Sequence, residues 1–223
     1  MNLPTRNPMN HNQTLYYDTS YKGFPLWSQH APYIREDLSG LHDTMERALN
    51  EHSRTLAVRF DLKVPVAGMS PYRVAPMEDF FRAINRKVRT KYENDKKHTP
   101  YPHESTVRYV QKVEQSVQSP YEHYHVVLFV NNDVFRQVGN LGHSDKWELA
   151  KIIREAWHKT VGVSKDTTEC LIHGTSPSYY RLKGLLNSFD PDHQEAFRHF
   201  SYLCKEKTTL YRRGRPAFTT SRK

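Results

Sequence analysis

His123-Tyr124-His125-Val126-Val127-Leu128-Phe129-Val130 is the stretch from which the fold is read outward. Its unbroken apolar run predicts a buried strand, and side chains of a strand alternate between faces. His123 and His125 therefore share one face, while Tyr124 enters the opposite layer. Two imidazoles so placed can hold one divalent metal. A His and carboxylate site without cysteine suits hard or borderline ions such as Mg²⁺, Mn²⁺ or Zn²⁺. Two histidines need at least one further ligand. With a turn near Ser119-Pro120, Glu114 falls across a hairpin from the pair. Glu122 is nearer in sequence but projects from the other face.

The rest of the chain supplies partners for this strand. Thr106 to Val117 alternates Val107, Tyr109, Gln111 and Val113 with Arg108, Val110, Lys112 and Glu114, and predicts the other half of the hairpin. Thr55 to Val64 alternates Leu56, Val58, Phe60 and Leu62 with Ala57, Arg59, Asp61 and Lys63. That pattern predicts a half-buried strand closed by Pro65. Helical spacing predicts amphipathic helices over Ile34 to Glu51, Met77 to Tyr92, Ser144 to Val161, and Asp190 to about Lys205. Glu169 to His173 is a short strand. Strands separated by helices, with one antiparallel hairpin, predict an α+β fold. Its sheet is covered by helices on one face and leaves the other for a ligand. Residues 1–30 lack a helical period and read as a flexible arm. The domain then spans 31–207, and 208–223 is a basic tail.

Composition narrows the partners. The 223 residues carry a net charge of +9, with 37% apolar residues and 14 Tyr. A sequence pI near 9.5 points to a polyanion, nucleic acid first and an acidic membrane surface second. No run approaches the roughly 20 apolar residues of a membrane span, and Met1 to Thr19 lacks the apolar core of a signal peptide. Cys170 and Cys204 make neither a disulfide framework nor a Cys-rich zinc site. The expectation is a soluble cytoplasmic protein.

Tyr-x-x-Lys occurs three times, at Tyr109–Lys112, Tyr180–Lys183 and Tyr202–Lys205. In a strand, Tyr109 and Lys112 point to opposite faces. Tyr180 lies in a less ordered context between Pro177 and Gly184. Tyr202 and Lys205 sit in a helical pattern, where residues three apart share a face. A Tyr hydroxyl beside a metal-bound phosphate can attack it, splitting one displacement into two easier steps through a covalent phosphotyrosine. Lys205 would place a positive charge beside the phenolate and the phosphate. Taken singly, each motif also has a plain structural reading: a solvated strand histidine, a core aromatic, a surface lysine.

Together, and in this order, the strand Leu56 to Leu62, the His123-Tyr124-His125 strand and the Tyr202–Lys205 pair resemble the HUH endonucleases of rolling-circle replication. The wording of His123 to Asn131 and of Ser201 to Lys205 resembles the inovirus-type Gp2 / YagK–YfjJ group of phage and prophage proteins, over about residues 35–221. The resemblance implies a five-stranded, RRM-like antiparallel sheet with the Tyr helix lying over it. It implies nicking of single-stranded or hairpin origin DNA, a covalent 5′ link to Tyr202, and later rejoining of the strand. It makes His123 and His125 ligands of Mg²⁺ or Mn²⁺ and Lys205 the helper of Tyr202; the third ligand varies among these enzymes, and Glu114 is the candidate that the hairpin alone offers. The chain has one candidate tyrosine where the two-tyrosine replicases have a pair.

Arg59, Arg82, Arg86 and Lys87, with Arg212, Arg213 and Arg215 in the tail, are the candidate DNA phosphate contacts. No GxxxxGK[ST] loop is present, so unwinding calls for a separate helicase, and extension for a host polymerase. Two other readings remain open at this level: a non-catalytic DNA-binding regulator on the same fold, and an unrelated metal-dependent hydrolase.

Overall fold

The computed structural model describes residues 5–65, 76–115, 121–141, 148–164, 170–212 and 214–221. In chain order its elements begin with β1 (Arg6–Asn7), β2 (Asn10–Tyr16), β3 (Ser20–Tyr21), β4 (Phe24–Pro25) and β5 (Tyr33–Ile34). Then come α1 (Arg35–Glu51), β6 (Arg54–Lys63), α2 (Met77–Asp95), β7 (Arg108–Gln115) and β8 (Glu122–Asn131). The chain closes with α3 (Glu148–Val161), β9 (Ile172–Lys183), α4 (Pro191–Phe200), a 3₁₀ turn at Ser201–Cys204, and β10 (Phe218–Thr220).

The main sheet has five strands in the order β10-β7-β8-β6-β9, and every neighbouring pair is antiparallel. The fold is therefore mixed α+β, as the alternation of strand and helix patterns predicts. β8 sits at the centre because its residues suit burial from both sides, and both faces of it are covered. Leu56, Val58 and Phe60 of β6 and Tyr124, Val126 and Leu128 of β8 pack with Phe80 and Ile84 of α2 and Trp157 of α3. On the other face, Ala57, Val127 and Phe129 pack with Leu38, Leu41 and Met45 of α1 and with Phe197 and Phe200 of α4.

This corrects the expectation of helices on one face only. The Ala57-Arg59-Asp61 face of β6 reads as polar in sequence. Yet α1 and α4 lie against it, and Arg59 is only 6% exposed. On this face His123 and Asp61 keep partial exposure, 28% and 29% of their side chains.

Two further differences have clear physical reasons. β9 runs twelve residues rather than five, despite Pro177. It is an edge strand, where a missing N–H costs no ladder bond on the open side. The segment expected as a flexible arm carries short strands from Arg6 on. β2 pairs with β5, and Leu15, Tyr21, Phe24 and Leu26 are buried. Its apolar residues are spaced for short strands, a pattern that a helical period does not detect. The basic tail likewise returns to the fold, since β10 pairs with β7 through Phe218↔Lys112 and Thr220↔Val110. The turn expected at Ser119-Pro120 lies outside the described residues. Among the described residues, no helix is long and apolar enough to cross a membrane.

Candidate active site

The site is built on three adjacent strands. The β7–β8 register sets Glu114 directly opposite His123 and Lys112 opposite His125. The β6–β8 register sets Asp61 opposite His125. Cross-strand partners share a face, so Glu114, His123, His125 and Asp61 converge on the face that carries α1 and α4. His125 Nε2 lies 3.2 Å from a Glu114 carboxylate oxygen, and His123 Nε2 lies 3.6 Å from the same oxygen. The two imidazole rings stand 5.0 Å apart, edge to face.

Asp61, which sequence reasoning left without a role, organises the pair. Its carboxylate accepts a hydrogen bond from His125 Nδ1 at 2.6 Å. That bond fixes the tautomer and turns the lone pair of Nε2 toward Glu114 and His123. Nε2 of His125 is buried and has no hydrogen-bond partner. An aimed, unpartnered imidazole nitrogen with a second imidazole and a carboxylate beside it is a donor set that fits a divalent ion. The ligand atoms of Glu114, His123 and His125 lie within 4.8 Å of one another.

The charges follow from these contacts. Burial works to raise the Glu114 carboxyl. The close imidazoles of His123 and His125 and the ammonium of Lys205 overcome it and hold Glu114 well below the usual carboxylate range. Burial works to depress His125, but Asp61 and Glu114 more than offset it, and its pKa is raised. Asp61 is also held low, because the hydrogen bond to His125 and its positive charge outweigh desolvation. Lys205 Nζ approaches the two Glu114 oxygens at 3.0 and 3.1 Å. Thr208 donates its hydroxyl to Glu114 at 2.8 Å. Thr208 has φ +70°, a left-handed conformation costly for a β-branched residue. This strained residue sits against the carboxylate of the site.

Tyr202 arrives from the other side. Asp190 caps α4 by accepting from the backbone N–H groups of Asp192 and His193. The helix ends at Phe200 instead of continuing to Lys205, and the chain tightens into the 3₁₀ turn. In a 3₁₀ turn residues i and i+3 eclipse, so the change of helix type brings Tyr202 and Lys205 onto one line. Lys205 Nζ lies 3.3 Å from the centre of the Tyr202 ring. The Arg59 guanidinium lies 4.7 Å from the same centre. His125 and His30 meet the ring edge to face at 5.4 and 5.0 Å.

Glu114, His123, His125, Tyr202, Lys205 and Arg59 are thus brought together. The remaining candidate DNA contacts are not. Arg82, Arg86 and Lys87 ride on α2, whose apolar side packs against the opposite face of the sheet. Arg82 pairs with Asp79, and Lys87 with Glu155. Arg212 pairs with Glu122, which also accepts from Tyr124 and so stays off the His123 face. Arg215 bridges back to Arg212 through the backbone, and Arg213 lies outside the described residues. His30 and Thr208 were not legible as site residues, because nothing local ties them to a strand more than eighty residues away. Asp61 left a faint signal, its place beside Arg59 on the polar side of a strand.

Comparison with known proteins agrees with the extent of this fold. The family model of the YagK/YfjJ C-terminal domain matches residues 17–221. The uncharacterized protein YfjJ of Escherichia coli (strain K12) is 25% identical over 193 residues, covering 82% of this chain and 91% of that protein. The uncharacterized protein YagK of the same strain is 23% identical over 197 residues, covering 83% and 91%. No solved structure matches the chain. The matched span takes in all five strands of the main sheet and every residue of the cluster, and the chain belongs to the YagK/YfjJ C-terminal domain family.

Proposed function

We propose that this protein is an HUH-type DNA endonuclease and strand transferase, dependent on Mg²⁺ or Mn²⁺, that initiates rolling-circle replication at a single-stranded or hairpin origin. The observation that carries the reading is the meeting of Tyr202 and Lys205 with Glu114, His123 and His125 on one face of the sheet. A bound divalent ion would neutralise charge on the scissile phosphate. His123, His125 and Glu114 would hold it, with Asp61 keeping His125 in the ligating tautomer. Tyr202 Oη gives up its proton as it forms a bond to phosphorus, the bond from phosphorus to the 3′ oxygen breaks, and that oxygen takes up a proton and leaves as a 3′-OH, so no net proton is gained or lost. The 5′ phosphate stays on Tyr202. Rejoining is the reverse, with a 3′-OH attacking the phosphotyrosine. Lys205 and Arg59 offset the negative charge gathered on phenolate and phosphate. A separate helicase and a host polymerase would act beside it, in the cytoplasm.

The test is a denaturing gel of protein mixed with labelled single-stranded DNA carrying candidate origins, with Mn²⁺, beside the Tyr202→Phe variant. The expected result is a covalent band in the wild type that is absent in the variant and with EDTA. Tight binding without any adduct would instead favour the non-catalytic regulator. Metal-dependent cleavage that survives Tyr202→Phe would favour a hydrolase.

A further inference from the structure

Arg59 is a buried cation with too few partners. It projects from β6 on the same face as Asp61 and is 6% exposed. Its Nη1 donates to the backbone carbonyl of His199 at 2.9 Å, while its Nε is buried and has no hydrogen-bond partner. Among the described residues, no carboxylate lies within ion-pair distance of the guanidinium. The two strand carboxylates that act on it are committed elsewhere, Asp61 to His125 and Glu114 to Lys205 and Thr208. Removing a guanidinium from water is costly unless an anion or a set of acceptors meets it. A guanidinium is also the side chain whose planar fork matches phosphate oxygens. Arg59 lies over the Tyr202 ring, so an anion paired with its guanidinium sits beside the tyrosine.

We propose that Arg59 forms a phosphate subsite on the Tyr202 side of the cluster, distinct from the Glu114–His123–His125 donor set. The subsite takes one phosphodiester group of the bound strand and holds it in register with the Tyr202 ring. Arg59 is thereby both an anion-binding residue and a positioning residue for Tyr202. The identity of the strand as DNA rests on the strand-transferase reading; the anion subsite does not.

The experiment is a calorimetric titration of the full chain with inorganic phosphate in EDTA, so that no metal contributes. Wild type, Arg59→Gln, Arg59→Lys and Arg212→Ala are compared after circular dichroism has shown each to be folded. Wild type is expected to bind. Arg59→Gln is expected to weaken binding about tenfold or more, the loss of one charge-assisted contact. Arg59→Lys keeps a buried charge without the fork, and serves if the Gln variant does not fold; it too is expected to bind more weakly than wild type. Arg212→Ala is expected to match wild type. Absence of phosphate binding by wild type, wild-type affinity in both Arg59 variants, or an equal loss in Arg212→Ala would overturn the subsite. The same proteins are then given single-stranded DNA and Mn²⁺. Phosphate binding that depends on Arg59 without any adduct would keep the subsite and sink the transferase reading. An adduct that forms equally well without Arg59, with phosphate affinity unchanged, would do the reverse.

Discussion

Asp61 shows how one side chain sets the chemistry of another. His125 is buried, and burial alone would favour a neutral ring free to take either tautomer. The 2.6 Å contact to Asp61 removes that freedom and leaves Nε2 as the atom that faces Glu114. Asp61→Ala would leave the His125 Nδ1 donor buried without a partner and let the ring turn. Outer partners of ligating histidines are typically worth 10–100-fold in metal affinity. A calorimetric Mn²⁺ titration should therefore show Asp61→Ala binding about 10–100-fold more weakly than wild type. Asp61→Asn keeps an acceptor oxygen and should recover part of the loss. Equal Mn²⁺ affinity in wild type and Asp61→Ala would remove the positioning role.

Among the elements, α4 and its 3₁₀ extension decide where the tyrosine lies. The cap is legible in sequence, since Asp190-Pro191 is a start signal with a mechanism. The change of helix type after Phe200 is not legible, because apolar spacing at Phe197, Phe200 and Leu203 satisfies either geometry over one turn. The two give different sites, and only the 3₁₀ turn eclipses Tyr202 with Lys205. Loss of the cap in Asp190→Ala should cost about 1 kcal/mol, read as a lower urea midpoint at an unchanged slope. The 3₁₀ turn is held independently by Leu203 and Cys204, both fully buried. On the proposed strand-transfer reading, adduct formation under conditions where the variant stays folded should therefore match wild type. A selective loss of adduct at full foldedness would mean that the helix start, and not only local packing, sets the position of Tyr202.

Over the whole molecule, the choice of which sheet face to bury was the least legible feature, and Lys112 explains why. Alternation along β7 places Lys112 on the polar side with Glu114, which reads as a face turned to solvent or ligand. In the fold α1 lies on that side, and Lys112 is fully buried, paired with Asp37 of α1 at 2.9 Å. A strand pattern reports polarity, not whether a partner charge arrives from an element seventy-five residues away. The pair ties α1 to the sheet, and its desolvation is visible in Asp37, whose carboxyl is pushed up to about 6 mainly by burial and partly restrained by Lys112. Lys112→Met removes the restraint and strands a buried carboxylate, so it should cost about 3–5 kcal/mol near neutral pH. Replacing both partners, in Asp37→Leu with Lys112→Met, should return most of that loss. The sign of the pH dependence provides a second check. A carboxyl whose folded pKa lies above its unfolded value binds more protons when folded, so its contribution to stability falls as pH rises from about 4 toward 6. Without Lys112 the folded pKa rises further, and the decline continues to higher pH. At pH near 4 Asp37 is largely protonated in the folded variant and pays little for lacking a cation. The stability gap between wild type and Lys112→Met, from urea unfolding, should therefore narrow on acidification and widen toward neutrality. A gap independent of pH would show that Lys112 holds α1 through packing of its aliphatic stem and not through its charge.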